Sequence, residues 1–246
     1  MKQSLFTMEH ARQLTADTYE LILSGDTSAI TAPGQFVNIS LPGHFLRRPI
    51  SICNWTKDGA LMLLVKVVGG GTHDLVRCVP GTELDVLSGL GNGFDTAFGG
   101  SEPVLVGGGI GAAPLYGLAR CLLDQGRTPT VVLGFRSGKD AYYLEEFAAL
   151  GCRLMIATED GSMGTRGFVT DCLKKLPNLT YVFACGPLPM LKAVHSLPGL
   201  TGGQYSFEAR MGCGFGACMG CTVPTVGGYK RVCKDGPILY QEEIVW

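Results

Sequence analysis

The sequence predicts a multidomain β plus α/β protein. An N-terminal antiparallel β-barrel is expected over residues 1–100, a parallel α/β nucleotide-binding domain over 101–202, and a small cysteine-rich domain over 203–246. Three observations carry this. Residues 1–100 hold short, evenly spaced apolar runs cut by Gly/Pro turns, a pattern that closes into a barrel and removes exposed strand edges. Near Ser101 the pattern changes to buried strands alternating with helical stretches, the signature of a parallel sheet. Between Met211 and Cys233 four cysteines fall in a C-x4-C-x2-C-x11-C arrangement.

In the barrel half, Tyr19–Leu23 and Phe36–Ser40 alternate in polarity, punctuated by Gly25-Asp26 and Pro33-Gly34. Further strands are expected over Ile50–Cys53, Leu61–Val67 and Glu83–Leu87. In the second half, the buried strand Pro103–Val106 runs into the glycine-rich turn Gly107–Pro114 and then a helix to Asp124. Thr130–Phe135, Arg153–Thr158 and Tyr181–Cys185 are the next strands, with helical segments at Tyr143–Leu150 and Gly167–Lys175 between them.

Composition narrows the function. Lys plus Arg number 20 against 21 Asp plus Glu, a formal charge of −1, so no polybasic surface calls for nucleic acid or anionic lipid. The 36 glycines gather in loops, as in a protein that brings its backbone close to phosphates. The opening MKQSLFTMEHARQL lacks the apolar core of a signal peptide, and the longest uncharged stretch, Pro103–Ala119, is too short for a membrane helix. A soluble cytoplasmic protein is expected, with no membrane contact. Six cysteines outside the motif, Cys53, Cys78, Cys121, Cys152, Cys172 and Cys185, sit mostly among apolar neighbours, and five of them are expected to act as small buried hydrophobes, with Cys185 open between a buried strand end and a nicotinamide contact.

Four constellations carry chemistry. Cys213, Cys218, Cys221 and Cys233, with Gly212, Gly214, Gly216 and Gly220 between the first three, match the plant-type ferredoxin spacing for a 2Fe-2S cluster. Structural zinc and disulfides are the alternatives, and a non-catalytic zinc-bearing interaction module is the corresponding alternative function. Arg48-Pro49-Ile50-Ser51 places a guanidinium suited to bidentate phosphate binding before a rigid proline and a hydroxyl donor. Val65-Lys66-Val67 leads into three glycines and Thr72, where Gly71 and Thr72 open a short helix near a potential phosphate, although an ordinary hairpin would look similar. The run Gly107, Gly109, Gly111, Ala112, Pro114 follows a buried strand but departs from the strict G-x-G-x-x-G fingerprint. With Glu159-Asp160 and Cys185-Gly186-Pro187 after two further strands, it should gather at one rim of the sheet and hold a nucleotide, unless its glycines serve only tight packing. Arg136 after the second strand could meet a 2′-phosphate, which leaves NAD against NADP open. His10, His44, His73 and His195 are scattered with no metal or triad spacing, and no hydrolase elbow or Walker motif is present.

These residues resemble a known family. Arg48–Ser51, Gly107–Pro114 and Cys185–Met190 resemble the flavin and nicotinamide motifs of the ferredoxin–NADP reductase superfamily, over about residues 34–190. The tail, FEARMGCGFGACMGC with VCKDGP at Val232–Pro237, resembles the electron-transfer subunits of class 1B (NAD-dependent) dihydroorotate dehydrogenases, extending the likeness to nearly the whole chain. The resemblance implies FAD in the barrel, NAD in the α/β domain and a 2Fe-2S cluster in the tail. It also implies a separate FMN-containing catalytic subunit, in a heterotetramer of two of each. It assigns Arg48 to the FAD pyrophosphate and Ser51 to the isoalloxazine edge. Backbone groups of Val65, Lys66 and Val67 would line the flavin, Gly71 and Thr72 would hold phosphates, and Cys185 would lie near the nicotinamide. Ile50 stands where the family often has an aromatic, and the x11 gap before Cys233 is compact. A hydrogenase γ subunit, a sulfide dehydrogenase subunit or the small subunit of a bifurcating transhydrogenase would keep the same three cofactor sites.

Overall fold

A computed structural model describes the whole chain, Met1–Trp246. Six strands, β1 (Lys2–Gln13), β2 (Thr18–Gly25), β3 (Phe36–Ile39), β4 (Arg48–Trp55), β5 (Ala60–Lys66) and β6 (Glu83–Leu90), close into an antiparallel barrel in the order β1-β2-β5-β4-β3-β6. Alternation fills it. Phe6, Met8, Leu21, Leu23, Ile52, Leu61, Leu63 and Val86 all point inward with at most 1% exposure. The short helix α1 (Gly70–Leu75) closes one end by burying Leu75 and Val76 in the same core.

The second sheet has seven strands in the order β10-β9-β8-β7-β11-β12-β15. Its parallel centre is β7 (Val104–Gly108), β8 (Thr130–Phe135), β9 (Arg153–Thr158) and β11 (Tyr181–Cys185). The two-residue β10 (Thr165–Arg166) forms one edge. Helices α2 (Ala112–Asp124), α3 (Leu144–Ala149), α4 (Val169–Leu173) and α5 (Leu188–His195) cover the faces. The boundary expected at 202/203 does not interrupt the sheet. β12 (Gly202–Ser206) pairs parallel with β11, and β15 (Ile238–Tyr240) returns antiparallel against β12. The cysteine loop and the hairpin β13 (Thr222–Thr225)–β14 (Gly228–Arg231) are therefore an insertion between two strands of the nucleotide sheet. Gln204 and Tyr205 are fully buried, and that burial carries the sheet past the expected boundary.

Barrel and sheet share a tight seam. Helix α2 buries Leu115, Leu118, Ala119 and Leu122 and lies between the sheet and β4. At Gly117 it comes so close that an added Cβ would stand 2.6 Å from the Cys53 carbonyl oxygen. Beside α3, the Tyr143 hydroxyl donates to Glu20 of β2 at 2.5 Å, and Arg12 of β1 donates to both Glu20 and Glu146. The carboxyl ends of β7, β8, β9 and β11 point towards this seam, where ligands of open α/β sheets bind.

Candidate functional site

Two cavities open along the seam. The first, of about 270 Å³, lies between the barrel and the exit of β12. Pro49, Ile50 and Ser51 of β4, Val65 and Lys66 of β5, and Thr72 of α1 line its barrel side; Ile110, Cys185 and Phe207–Ala209 line the other. Its wall is mainly apolar with few polar groups, as a flavin ring requires. Arg48 lies just beyond it, flat on the first turn of α1. An added Cβ at Gly71 would fall 1.7 Å from Arg48 Nε, so only glycine leaves room for the guanidinium there. This cradle fits the diphosphate of FAD. Val67 is half-buried and donates its backbone N–H to Asp17 at 2.7 Å.

The second cavity, about 680 Å³, runs from the barrel lip to the far edge of the sheet. Gly108, Gly109, Tyr142, Gly186, Pro187 and Met190 line its centre, and Arg136, Glu159 and Phe168 its outer end. Gly109 is at φ +52 with open space beyond it, a position where glycine is needed and the backbone is bare to a ligand. Asp17 and Lys66, paired at 3.2 Å, form the barrel lip. Burial alone would raise the Asp17 carboxyl, but hydrogen bonds from Lys66 and Thr18 bring it below its ordinary value. The size suits a dinucleotide.

Lys66, Ile110 and Glu208 line both cavities, so this is the wall where two bound rings would meet. Glu208 is open to solvent through the cavities, yet desolvation by the surrounding protein raises its carboxyl pKa. Cys185 lies at the end of β11 on the first cavity, and burial pushes its thiol up to about 12, so it stays neutral.

Five residues beyond Glu208, the chain enters the cysteine loop. The backbone N–H groups of Ala217 and Cys218 point at Cys213 Sγ at 3.3 and 3.4 Å, and those of Cys213 and Gly220 at Cys218 Sγ at 3.4 and 3.5 Å. Burial opposes ionisation of Cys213, but these amides outweigh it and hold the thiol at about 6. Cys221 and Cys233 form the inner pair, both 2% exposed, with the Cys233 N–H 3.4 Å from Cys221 Sγ. Burial and the neighbouring Cys221 raise the Cys233 thiol to about 12. Arg231, paired bidentately with Asp235 at 2.8 and 3.0 Å, also donates to the Gly216 carbonyl and ties the hairpin to the loop. Asn38 of β3 donates to the Cys213 carbonyl at 3.1 Å, fastening the loop to the barrel. Two pairs of sulfurs suit a two-iron centre, in which each iron takes two thiolates.

Of the residues singled out from sequence, Pro49, Ile50, Ser51, Val65, Lys66, Thr72 and Cys185 line the first cavity, and Gly109, Glu159, Gly186 and Pro187 the second. Gly107, Gly111, Ala112 and Pro114 line neither and are buried in the seam of β7, α2 and β11. An added Cβ at Gly111 would lie 2.1 Å from the Cys185 carbonyl oxygen, so this glycine serves close packing. Asp160 turns away, accepting from the Ser162 N–H at 2.9 Å. Cys53, Cys152, Cys172 and Cys185 are buried, whereas Cys78 and Cys121 are half-buried. His44 and His73, 29 residues apart in sequence, both hydrogen-bond Asp74. Sequence reading also passed over Glu208, Tyr142 and Phe168. Glu208 had a signal, a lone carboxylate between a buried strand and the first cluster cysteine.

Comparison with known proteins agrees with this geometry. Residues 208–245 match the family described as the iron–sulfur cluster binding domain of dihydroorotate dehydrogenase B, and residues 105–196 match the oxidoreductase NAD-binding domain. A protein of Listeria innocua named dihydroorotate dehydrogenase B (NAD(+)), electron transfer subunit, is 41% identical over 253 residues, covering 99% of both chains. A Bacillus caldolyticus protein of the same name is 42% identical over 250 residues, covering 97% of each. Among solved structures, one of an NADH-dependent reduced ferredoxin–NADP oxidoreductase superposes with a TM-score of 0.89 at 31% identity, covering 99% of this chain and 90% of that one. Phthalate dioxygenase reductase shares the fold, with a TM-score of 0.65 at 19% identity over 85% of this chain and 70% of that one.

Proposed function

The chain belongs to the electron-transfer subunits of dihydroorotate dehydrogenase B, and from that premise we propose that it relays electrons between NAD+ and the FMN of a separate dihydroorotate-oxidising subunit. It is an oxidoreductase subunit of pyrimidine biosynthesis that works with NAD, FAD and a 2Fe-2S cluster. The observation that carries the reading is the common wall of the two cavities. It joins the dinucleotide and flavin sites through Lys66, Ile110 and Glu208, and the same strand exit leads into the cysteine loop.

FAD, when bound, converts between the hydride chemistry of NAD and the single electrons of the cluster, and the protein supplies position and electrostatics. In this reading Arg48, Gly71 and Thr72 hold the diphosphate, while Pro49, Ile50 and Ser51 with Val65, Lys66 and Val67 seat the ring. Gly109, Gly186 and Pro187 bring bare backbone to the nicotinamide half of the dinucleotide, and Glu159 faces its adenosine half. Cys185, a neutral thiol, packs at the ring junction without taking a proton. Lys66 and Glu208 place one cation and one carboxylate at that junction. Cys213 with Cys218 and Cys221 with Cys233 hold the cluster, and the amides aimed at their sulfurs offset the thiolate charge. The exposed Phe215, Met219 and Tyr229 around the loop support its being covered by the catalytic subunit, in a complex of two copies of each chain. Proton abstraction from dihydroorotate belongs to the partner in this reading.

The working units are taken as 1–100 for FAD, 101–202 for NAD and 203–246 for the cluster, the last borrowing the sheet edge through β12 and β15. No helix is long and apolar enough to cross a membrane, in keeping with a cytoplasmic complex. The test is co-expression with candidate FMN subunits: dihydroorotate-dependent NAD+ reduction must need both chains. Dihydroorotate oxidation by this chain alone would overturn the division of labour. A second reading, a small subunit of a bifurcating transhydrogenase, is favoured by the match to the NADH-dependent reduced ferredoxin–NADP oxidoreductase. Co-purification with a subunit active on ferredoxin and NADPH, and inactive on dihydroorotate, would select it.

A further inference from the structure

The geometry points to a five-residue relay, Arg48–His44–Asp74–His73–Arg77, in which His44 is the positioning residue for Arg48 and its protonation loosens FAD. The proposal rests on the reading that Arg48 holds the FAD diphosphate. His44 sits on the loop before β4, with its side chain 20% exposed. Its Nδ1 is 2.8 Å from Arg48 Nη2, and its Nε2 is 2.8 Å from Asp74 Oδ2. A guanidinium only donates and an ionised carboxylate only accepts. The imidazole between them must therefore accept through Nδ1 and donate through Nε2, which fixes it as the neutral Nε2–H tautomer. The same logic repeats on the other side of Asp74. His73 donates from Nδ1 to Oδ1 at 3.2 Å, and Arg77 Nη1 donates to His73 Nε2 at 3.2 Å. Hydrogen bonds from His44 and His73 hold the Asp74 carboxyl below its ordinary value, in keeping with its being ionised.

Both His44 and Arg48 lie on the glycine stretch that opens α1. A Cβ at Gly70 would come 3.7 Å from His44 Cε1, as one at Gly71 would overlap Arg48 Nε. The guanidinium thus has two anchors, the Leu46 carbonyl within its own loop and His44, which ties it to α1. Only the second can titrate. The charged and titratable groups around His44 are Arg48 from β4, Asp74 from α1 with His73 behind it, and Arg77 just past the end of α1. Adding a proton at Nδ1 turns an acceptor into a donor facing another donor. The Arg48 hydrogen bond is lost and two cations face each other 2.8 Å apart. A second proton on His44 therefore opens the link between Arg48 and α1.

The experiment follows FAD release from the intact chain by the rise in flavin fluorescence on dilution, at about pH 8 and about pH 5.5. Wild type is expected to bind FAD about tenfold more weakly at the lower pH, the loss of one charge-assisted hydrogen bond. In His44→Gln the amide can accept from Arg48 and donate to Asp74 without titrating, so its affinity should stay within about twofold across the same range. His73→Gln should keep the wild-type pH dependence. A His44→Gln variant as pH-dependent as wild type, wild-type binding that is flat or tighter at low pH, or a dependence abolished by His73→Gln instead would each overturn the relay. Arg48→Ala separates this from the underlying reading. If it binds FAD like wild type, Arg48 does not hold the diphosphate. If it binds weakly while His44→Gln still follows the wild-type pH profile, only the relay fails. Retained visible absorption of the cluster verifies that each variant is folded.

Discussion

Replacing Gly117 by Ala should separate stability from hydride transfer in an informative way. The added methyl carbon would stand 2.6 Å from the Cys53 carbonyl oxygen of β4, whereas ordinary contact begins at 3.4 Å. Helix α2 or the barrel strand must retreat by about 0.8 Å, a gap that forfeits much of the dispersion across the seam. Retreat is resisted, because Leu115, Leu118, Ala119 and Leu122 on α2 are fully buried against neighbours packed at crystal-like density. Overpacking of this kind costs about 1–3 kcal/mol, and the better helix propensity of alanine returns about 1 kcal/mol. A net destabilisation of about 0–2 kcal/mol is expected. The kinetic effect should be larger. Asp17, Thr18 and Lys66 line the dinucleotide cavity from the barrel, while Gly109 and Pro187 line it from the sheet, so the shift moves one wall against the other. Misplacement approaching 1 Å can slow a reaction by about a hundredfold, and a loss of about tenfold or more is predicted here. Anaerobic stopped-flow at the flavin absorbance, with FAD content and Tm on the same samples, reads both. A variant with raised Tm and an unchanged rate of flavin reduction by NADH would refute the tight seam.

Three further predictions concern the site and the barrel. Cys218→Ser, at the exposed member of the outer pair, should abolish the cluster absorption yet keep FAD and NADH-driven ferricyanide reduction; retention of normal iron and sulfide would remove Cys218 from the ligand set. Cys185→Ala should keep FAD but slow flavin reduction by NADH about three- to tenfold, since the neutral thiol fills the ring junction, and unchanged kinetics would leave it a packing residue only. Asp85→Asn removes the partner of Arg47, whose Nη2, just ahead of β4, lies 2.7 Å from Asp85 Oδ2 on β6, reaching across β3. The Arg47 hydrogen bond holds the Asp85 carboxyl below its ordinary value, so its stabilisation is complete above the unfolded value of about 4 and is lost as pH falls through the lower folded one. The variant should be about 1 kcal/mol less stable near pH 7, a deficit that shrinks in acid; a pH-independent deficit in thermal denaturation would assign it to packing.

What could be read from residues alone was local. The period-2 strands of the barrel announce themselves because fully buried Leu21 and Leu23 flank half-buried Ile22, as Leu61 and Leu63 flank Met62, and the cysteine spacing states its chemistry in one loop. Pairings between distant segments were harder to see. β12 and β15 join the sheet across the whole cysteine insertion, so Gly202-Gly203 resembled a boundary when it is the start of a buried strand. Asp74 gathers two histidines from different elements, and no spacing rule links His44 to it. The glycine run shows the limit most clearly. Sequence treats Gly107, Gly109 and Gly111 alike, yet only Gly109 faces a ligand cavity, while the other two let α2 and β11 approach. Glycine marks close approach, and the sequence does not say whether the approaching group is phosphate or protein.

The most direct test of the relay is an anaerobic visible spectrum of the purified chain, with iron, sulfide, zinc and flavin quantified on the same sample and NADH then added. The account predicts about two irons, two sulfides and one FAD per chain, with both chromophores bleached by NADH. Zinc without flavin would contradict it.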